Sequence, residues 1–164
     1  MLYDKLHVEI DRNECIRTNL VQNGYFYILL YSAATKSANK EGFDEMPVIY
    51  CVSPDTSNIN NFWGINFHYF RKDIQLYILE RMVKDYNIMS EDSVRVLLDG
   101  KQLNNIYSNI QIGLRCYNRK NVLDCYRIMN TYLPKYLELG DKFKIMDNND
   151  RNSKFELAPG NKGF

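Results

Sequence analysis

Between Asn60 and Tyr86 the chain reads NNFWGINFHYFRKDIQLYILERMVKDY. No other stretch limits the possible folds as strongly. It opens with Phe62, Trp63, Phe67, Tyr69 and Phe70, broken up by Gly64 and asparagines. Aromatic side chains bring the largest apolar area per residue, so this segment is expected inside a domain. Ile65, Phe67 and Tyr69 alternate with Asn66 and His68, a strand pattern that should end where Arg71-Lys72-Asp73 opens a helix. From Ile74 the period is helical. Ile74, Ile78 and Met82 form one row, and Leu76, Leu79, Val83 and Tyr86 another. A stripe wider than ~100° predicts a helix covered on more than one side, with Asn87 as its stop.

Upstream, His7–Asp11 alternates apolar and polar, as a first strand or a docked arm would. Asn23-Gly24 is a turn signal, followed by the continuous run Tyr25–Tyr31, of strand length. Ala34–Phe43 reads as a connection. Met46–Val52 is a second strand, in which Pro47 must stand at the start or on an edge because it lacks an amide donor. Ser53–Asn61 is turn chemistry. Downstream, Ser90–Ser93 reads as a helix start with Val94–Leu98 as its body, against a competing strand ending in an Asp99-Gly100 turn. Asn104–Tyr117 carries Ile106, Ile110, Leu114 and Tyr117 at helical spacing, with Gly113 as a close-packing position. Val122–Asn130 reads as a further helix. Pro134 opens a last one, stopped by Gly140. Phe143–Met146 is a candidate final strand. The expected fold is α+β: a small antiparallel sheet or partly open barrel from the N-terminal half, packed against a C-terminal helical cluster. One domain over residues 1–146 and a polar, extended or flexible tail over 147–164 follow.

The 164 residues suit a single domain able to bury roughly 70% of its unfolded surface. The 13 tyrosines reflect either an AT-rich coding sequence or a Tyr-rich interface. A net charge of +1 gives no global electrostatic case for nucleic acid or a membrane. No apolar run approaches the ~20 residues that span a bilayer, and the N-terminus lacks the apolar core of a signal peptide. Cys15, Cys51, Cys116 and Cys125 are scattered, with no metal-ligand spacing, and read as reduced, partly buried thiols. No metal or cofactor is implied.

Phosphate-binding glycine patterns and G-x-S-x-G are missing. The only histidines are His7 and His68. His68 reads as a strand histidine at the foot of a helix rather than a catalytic base. A metal-dependent nuclease would need converging carboxylates, and Asp44-Glu45 and Glu91-Asp92 are adjacent pairs instead. Basic residues gather at Arg71 and Lys72, at Arg115, Arg119 and Lys120, and at Lys135, each near aromatic rings. That combination suits single strands or exposed DNA ends. Cations at helix ends and on solvated faces are the favoured explanation.

The order of a Pro-Val-Ile strand, a loop, Trp63-Gly64-Ile65-Asn66-Phe67-His68-Tyr69-Phe70, then Arg71 and an amphipathic helix resembles a family of small proteins of T-even-like and related tailed bacteriophages. Those proteins carry a G-[IL]-N-[LF]-H-Y block and are labelled DNA end protector or virion-associated proteins. Arg115 and Tyr117 resemble the family's later R-x-Y segment. Phe43–Met46 stands where the family has a Tyr-Tyr-Asp run. The resemblance covers about residues 25–120. It implies a non-enzymatic virion or assembly protein of the head, neck or tail, located in the virion after synthesis in the bacterial cytoplasm. Its partners would be other virion proteins in a symmetric assembly, or DNA ends contacted through Arg71, Lys72, Arg115, Arg119 and Lys120. The block Gly64, Asn66, Phe67, His68 and Tyr69 reads as fold-defining, with Phe67 and Tyr69 in the core and Asn66 and His68 hydrogen-bonding nearby loops.

Overall fold

The structure is a computed structural model, and it describes residues 10–31, 47–52, 60–91 and 94–141. The expected His7–Asp11 strand, the 34–43 connection, the Phe143–Met146 strand and the 147–164 tail fall wholly or mainly outside these residues, as does most of the 53–61 turn.

The fold is α+β. Among the described residues six strands form one antiparallel sheet: β1 Cys15–Arg17, β2 Phe26–Tyr31, β3 Val48–Cys51, β4 Asn61–Asn66, β5 Leu114–Asn118 and β6 Val122–Ile128. Their order is β1-β6-β2-β3-β4-β5. Pro47 stands just before β3, and its carbonyl accepts from Leu29 N at 3.1 Å, so a strand flanked on both sides begins there without an amide donor at that position.

Only Arg119–Asn121 separate β5 from β6, yet three strands lie between them in the sheet. Four residues of chain reach ~14 Å, while four strand spacings in a flat sheet need ~19 Å. The sheet must therefore curl. The curl brings Tyr31 of β2 against Tyr117 of β5, with ring centroids 5.0 Å apart, and lets Asn118 N donate to Tyr31 Oη at 3.2 Å.

Curling gives the sheet two cores and explains the unbroken apolar run in β2. Phe26, Ile28, Leu30, Val48, Tyr50, Ile65, Tyr126 and Ile128 face the larger core with the helices. Tyr27, Leu29, Ile49, Cys51, Phe62, Tyr117 and Cys125 face the smaller one. A strand buried on both faces loses its polar alternation.

Helix α1, Lys72–Tyr86, forms as predicted and ends on Asn87 in the left-handed region, φ 55°. One face is covered, through Gln75, Ile78, Leu79 and Met82. Leu76 and Tyr77 remain 44% and 43% exposed, so the expectation of cover on several sides is corrected. The Val94–Leu98 helix is absent. The segment runs extended because Tyr50 holds its backbone: Tyr50 Oη donates to Val96 O at 2.5 Å and accepts from Leu98 N at 2.9 Å. Asp99 then starts α2, Gly100–Ile106, through a capping box with Gln102.

The two helices expected over Asn104–Tyr117 and Val122–Asn130 are replaced by strands β5 and β6. Residues 104–106 close α2, and Ser108 and Asn109 beyond it compete with further helical bonding. Gly113 then sits under Phe70, where a Cβ would lie 2.5 Å from the ring and 2.9 Å from Asn66 O. That confirms the close-packing role and fixes the entry to β5. The final helix, α3, Leu133–Asp141, includes Gly140 instead of stopping at it. No helix among the described residues is long and apolar enough to cross a membrane.

Cys15, Cys51 and Cys125 are buried, Cys116 is exposed, and none forms a disulfide. Burial pushes the Cys15 thiol up to about 12 and raises Cys125, Tyr27 and Tyr50 above their ordinary values. These groups stay protonated in the fold when the unfolded chain has already lost its protons. Stability is then complete below about pH 8.5 and falls by about 1.4 kcal/mol per pH unit for each group once pH passes its unfolded value, about 8.5 for the cysteines and about 10 for the tyrosines. Urea unfolding followed by Trp63 fluorescence should show a flat midpoint at neutral pH and a steep decline above about pH 9.

Candidate functional site

Gly64 of β4 lies opposite Cys51 of β3 and Arg115 of β5. A Cβ there would overlap Ile49 Cγ2 and touch Tyr117 Cε2 at 3.4 Å, so glycine is required by the close approach of three strands. Two residues on, Asn66 ends the strand. Its Oδ1 accepts from His68 N at 2.9 Å, which winds Phe67–Tyr69 into a 3-10 turn. The strand expected through Tyr69 therefore stops at Asn66. Asn66 Nδ2 donates to Tyr117 Oη at 3.1 Å.

Phe67 turns into the larger core, 6.1 Å from the Phe26 ring. His68 is fully buried, its ring packed against Gly140 of α3, where a Cβ would come within 2.6 Å of Nε2. Tyr69 departs from expectation. It is half-buried at the surface, and the Arg115 guanidinium lies over its ring at 3.9 Å. The two separated segments of the family resemblance thus meet: Arg115 covers Tyr69, Tyr117 bonds Asn66, and Gly64 pairs with Arg115.

The basic residues are largely engaged within the fold. Arg115 Nη1 donates to Ile112 O at 3.1 Å and Leu114 O at 2.8 Å. Arg119 Nη1 donates to Val21 O at 3.1 Å and lies over Phe62 at 5.1 Å. Arg71 pairs with Asp73 at 3.4 Å, and Lys72 with Glu138 at 4.0 Å, both exposed pairs of small energetic weight. Lys135 pairs with Glu14 at 2.5 Å, and Tyr136 Oη donates to the same carboxylate. Lys120 is exposed on the β5–β6 corner. The structure brings Arg115 beside the turn that precedes Arg71 and Lys72. Arg119 and Lys120 lie at the far end of β5.

The surface concavities among the described residues include the following two. One, of about 220 Å³, is lined by Val21, Phe62, Arg119, Leu123 and Asp124. The other, a shallow groove of about 420 Å³ between α1 and α2, includes Tyr77, Arg81, Asn104 and Tyr107. His68 and Asn66 line neither. Among the described residues no group of three or more His, Cys, Asp or Glu is placed to hold a metal ion. Sequence reading missed the Arg17–Asp124 ion pair at 3.0 Å and the stacking of Arg127 on Tyr25, which depend on β6 being a strand, and the stacking of Arg95 on Tyr25, which depends on residues 94–98 running extended. Comparison with protein-family models, with curated proteins and with solved structures finds no match to this chain.

Proposed function

We propose that this chain is a non-enzymatic bacteriophage structural or assembly protein, a component of the head, neck or tail that docks to other virion proteins. The observation that carries the reading is the burial of the block on which the resemblance rests. Gly64, Asn66, Phe67 and His68 lie inside, and Arg115 and Tyr117 close over them. Such a block preserves a shape and leaves the surface to do the work. Gradient-purified virions of the encoding phage should contain the protein at a fixed copy number that survives a high-salt wash, read by quantitative mass spectrometry. Its absence from virions overturns the proposal.

The second reading, a DNA-terminus binder, draws on the Arg115–Tyr69 stack and the exposed Lys120 along the β5 edge. Binding through these residues should weaken steeply with salt, because each phosphate contact releases counterions. The triple variant Arg115→Ala, Arg119→Ala, Lys120→Ala should lose affinity for linear DNA. Binding equal to wild type removes that reading.

A further inference from the structure

Around Tyr25 the fold assembles a surface that none of the motifs marks. Ile16 stands opposite Arg127 in the β1–β6 ladder. The Arg127 guanidinium lies over the Tyr25 ring at 4.6 Å, and that of Arg95 lies over the same ring at 5.8 Å. Leu97 Cδ2 and Arg95 Cγ both crowd Gly24, each 2.9 Å from where a Cβ would be. Ile16, Arg127, Tyr25, Arg95 and Leu97 are therefore one continuous patch. Its two aliphatic ends are 38% and 51% exposed.

Among the described residues no carboxylate pairs with the cations of this patch. Arg95 is tethered by Nε to Asn23 O at 2.7 Å, and among the described residues it has no carboxylate partner. Arg127 is half-buried, and its Nη1 is shut off from solvent with no hydrogen-bond acceptor among the described residues. That enclosed nitrogen is beyond a partner's reach, so a partner meets the solvent-facing remainder of the guanidinium. Two guanidiniums sharing one tyrosine ring repel each other until an anion lies between them.

We infer that this patch is a docking surface for a segment of a partner protein that brings an Asp or Glu carboxylate to Arg127 and Arg95, flanked by aliphatic side chains that cover Ile16 and Leu97. A carboxylate accepts the paired donors of a guanidinium in their own plane, and the interaction strengthens as water is excluded. Tyrosine and arginine at the centre, with aliphatic neighbours, is the composition that concentrates binding energy in protein interfaces. The exposed Ile16 and Leu97 favour a protein over a nucleic-acid backbone, as does a net charge of +1. The inference rests on the reading of the chain as a docking component and names the chemistry of its partner.

The test uses the full chain, labelled for NMR, and a probe peptide, N-acetyl-Leu-Glu-Leu-amide. The Nε–Hε signals of Arg95 and Arg127 and the ring signals of Tyr25 should shift saturably at millimolar peptide. The N-acetyl-Leu-Gln-Leu-amide control should leave them in place. Arg127→Gln should weaken the response at least tenfold with the rest of the spectrum unchanged, and Arg127→Lys should fall between. Absence of saturable shifts, or an equal response to the glutamine peptide, overturns the inference. So does a stronger response of the same signals to a single-stranded oligonucleotide. A change at these signals on deletion of residues 142–164 assigns the patch to the chain itself and also overturns it. Virion incorporation separates the two levels of the argument. If wild type enters virions and the Arg95→Gln, Arg127→Gln variant enters equally well, the patch is not the docking surface and the broader reading stands. If wild type is absent from virions, the broader reading falls, and the peptide titration still decides the patch.

Discussion

Phe67→Ala should lower the stability of this protein by about 3–5 kcal/mol, the usual cost of removing a fully buried phenylalanine and leaving a cavity. Phe67 lies in the larger core beside Phe26, and the turn that presents it is fixed by Asn66 and by Phe70 N donating to Phe67 O at 3.1 Å. The backbone there has little freedom to collapse into the space. At about 2–4 °C per kcal/mol for a chain of this size, the melting temperature should fall by roughly 10 °C. Tyr69→Ala, two residues along, should cost far less, because its ring is half-buried and its main contact is the Arg115 guanidinium. Such a contact contributes ~0.5–2 kcal/mol. Thermal unfolding of the two variants side by side checks the assignment of one ring to the core and the other to the surface.

Asn66→Leu should be nearly as damaging, for a different reason. The two side chains share a branched skeleton, so lost hydrogen bonds dominate, with some crowding added by the bulkier methyls. The buried amide of His68 loses the Oδ1 that accepts it, and Tyr117 Oη loses the Nδ2 donor. Stripping buried polar groups of their partners costs ~1–3 kcal/mol each, which places the variant about 2–5 kcal/mol below wild type. Tyr117→Phe removes only the far end of the second bond and should cost less. A double-mutant cycle in urea between positions 66 and 117 should show the two losses to be non-additive, since they share one hydrogen bond.

These variants separate what the residue order reveals from what only the fold supplies. Strands β2 and β3 were legible because each is a short apolar run bounded by turn residues, and Pro47 marked where β3 begins. Helix α1 was legible from its period and from Asn87, a residue that tolerates the left-handed conformation that ends it. The strands β5 and β6 were not legible. Each has residues buried on both faces, or edge residues held by side-chain contacts, so neither shows clean alternation. Ile106, Ile110 and Leu114 match a helical spacing while belonging to α2, to a 3-10 turn and to β5.

The same limit governs the site. Burial of Gly64, Asn66, Phe67 and His68 follows from aromatic density and strand pattern. The outward turn of Tyr69 does not, because it depends on the Asn66 side chain breaking the strand and on Arg115, distant in sequence, arriving through the β4–β5 ladder. Of the predicted cations, Arg115, Arg119 and Lys135 lie over the rings of Tyr69, Phe62 and Tyr136. The engagement of the two arginines with Ile112, Leu114 and Val21 carbonyls was hidden, since those acceptors are set by the curl of the sheet. Arg127 escaped notice for the same reason: read on a helix it is a solvated cation, and on β6 it stacks on Tyr25.

Native-state amide hydrogen exchange across residues 62–70 bears most directly on whether this block is framework or a binding surface. The amides of His68 and Phe70 should exchange at the rate set by unfolding of the whole molecule, matching the most protected positions of β2 and β3. They should also be indifferent to added linear DNA. Fast exchange through local opening, or new protection at His68 and Phe70 on adding DNA, would contradict the account.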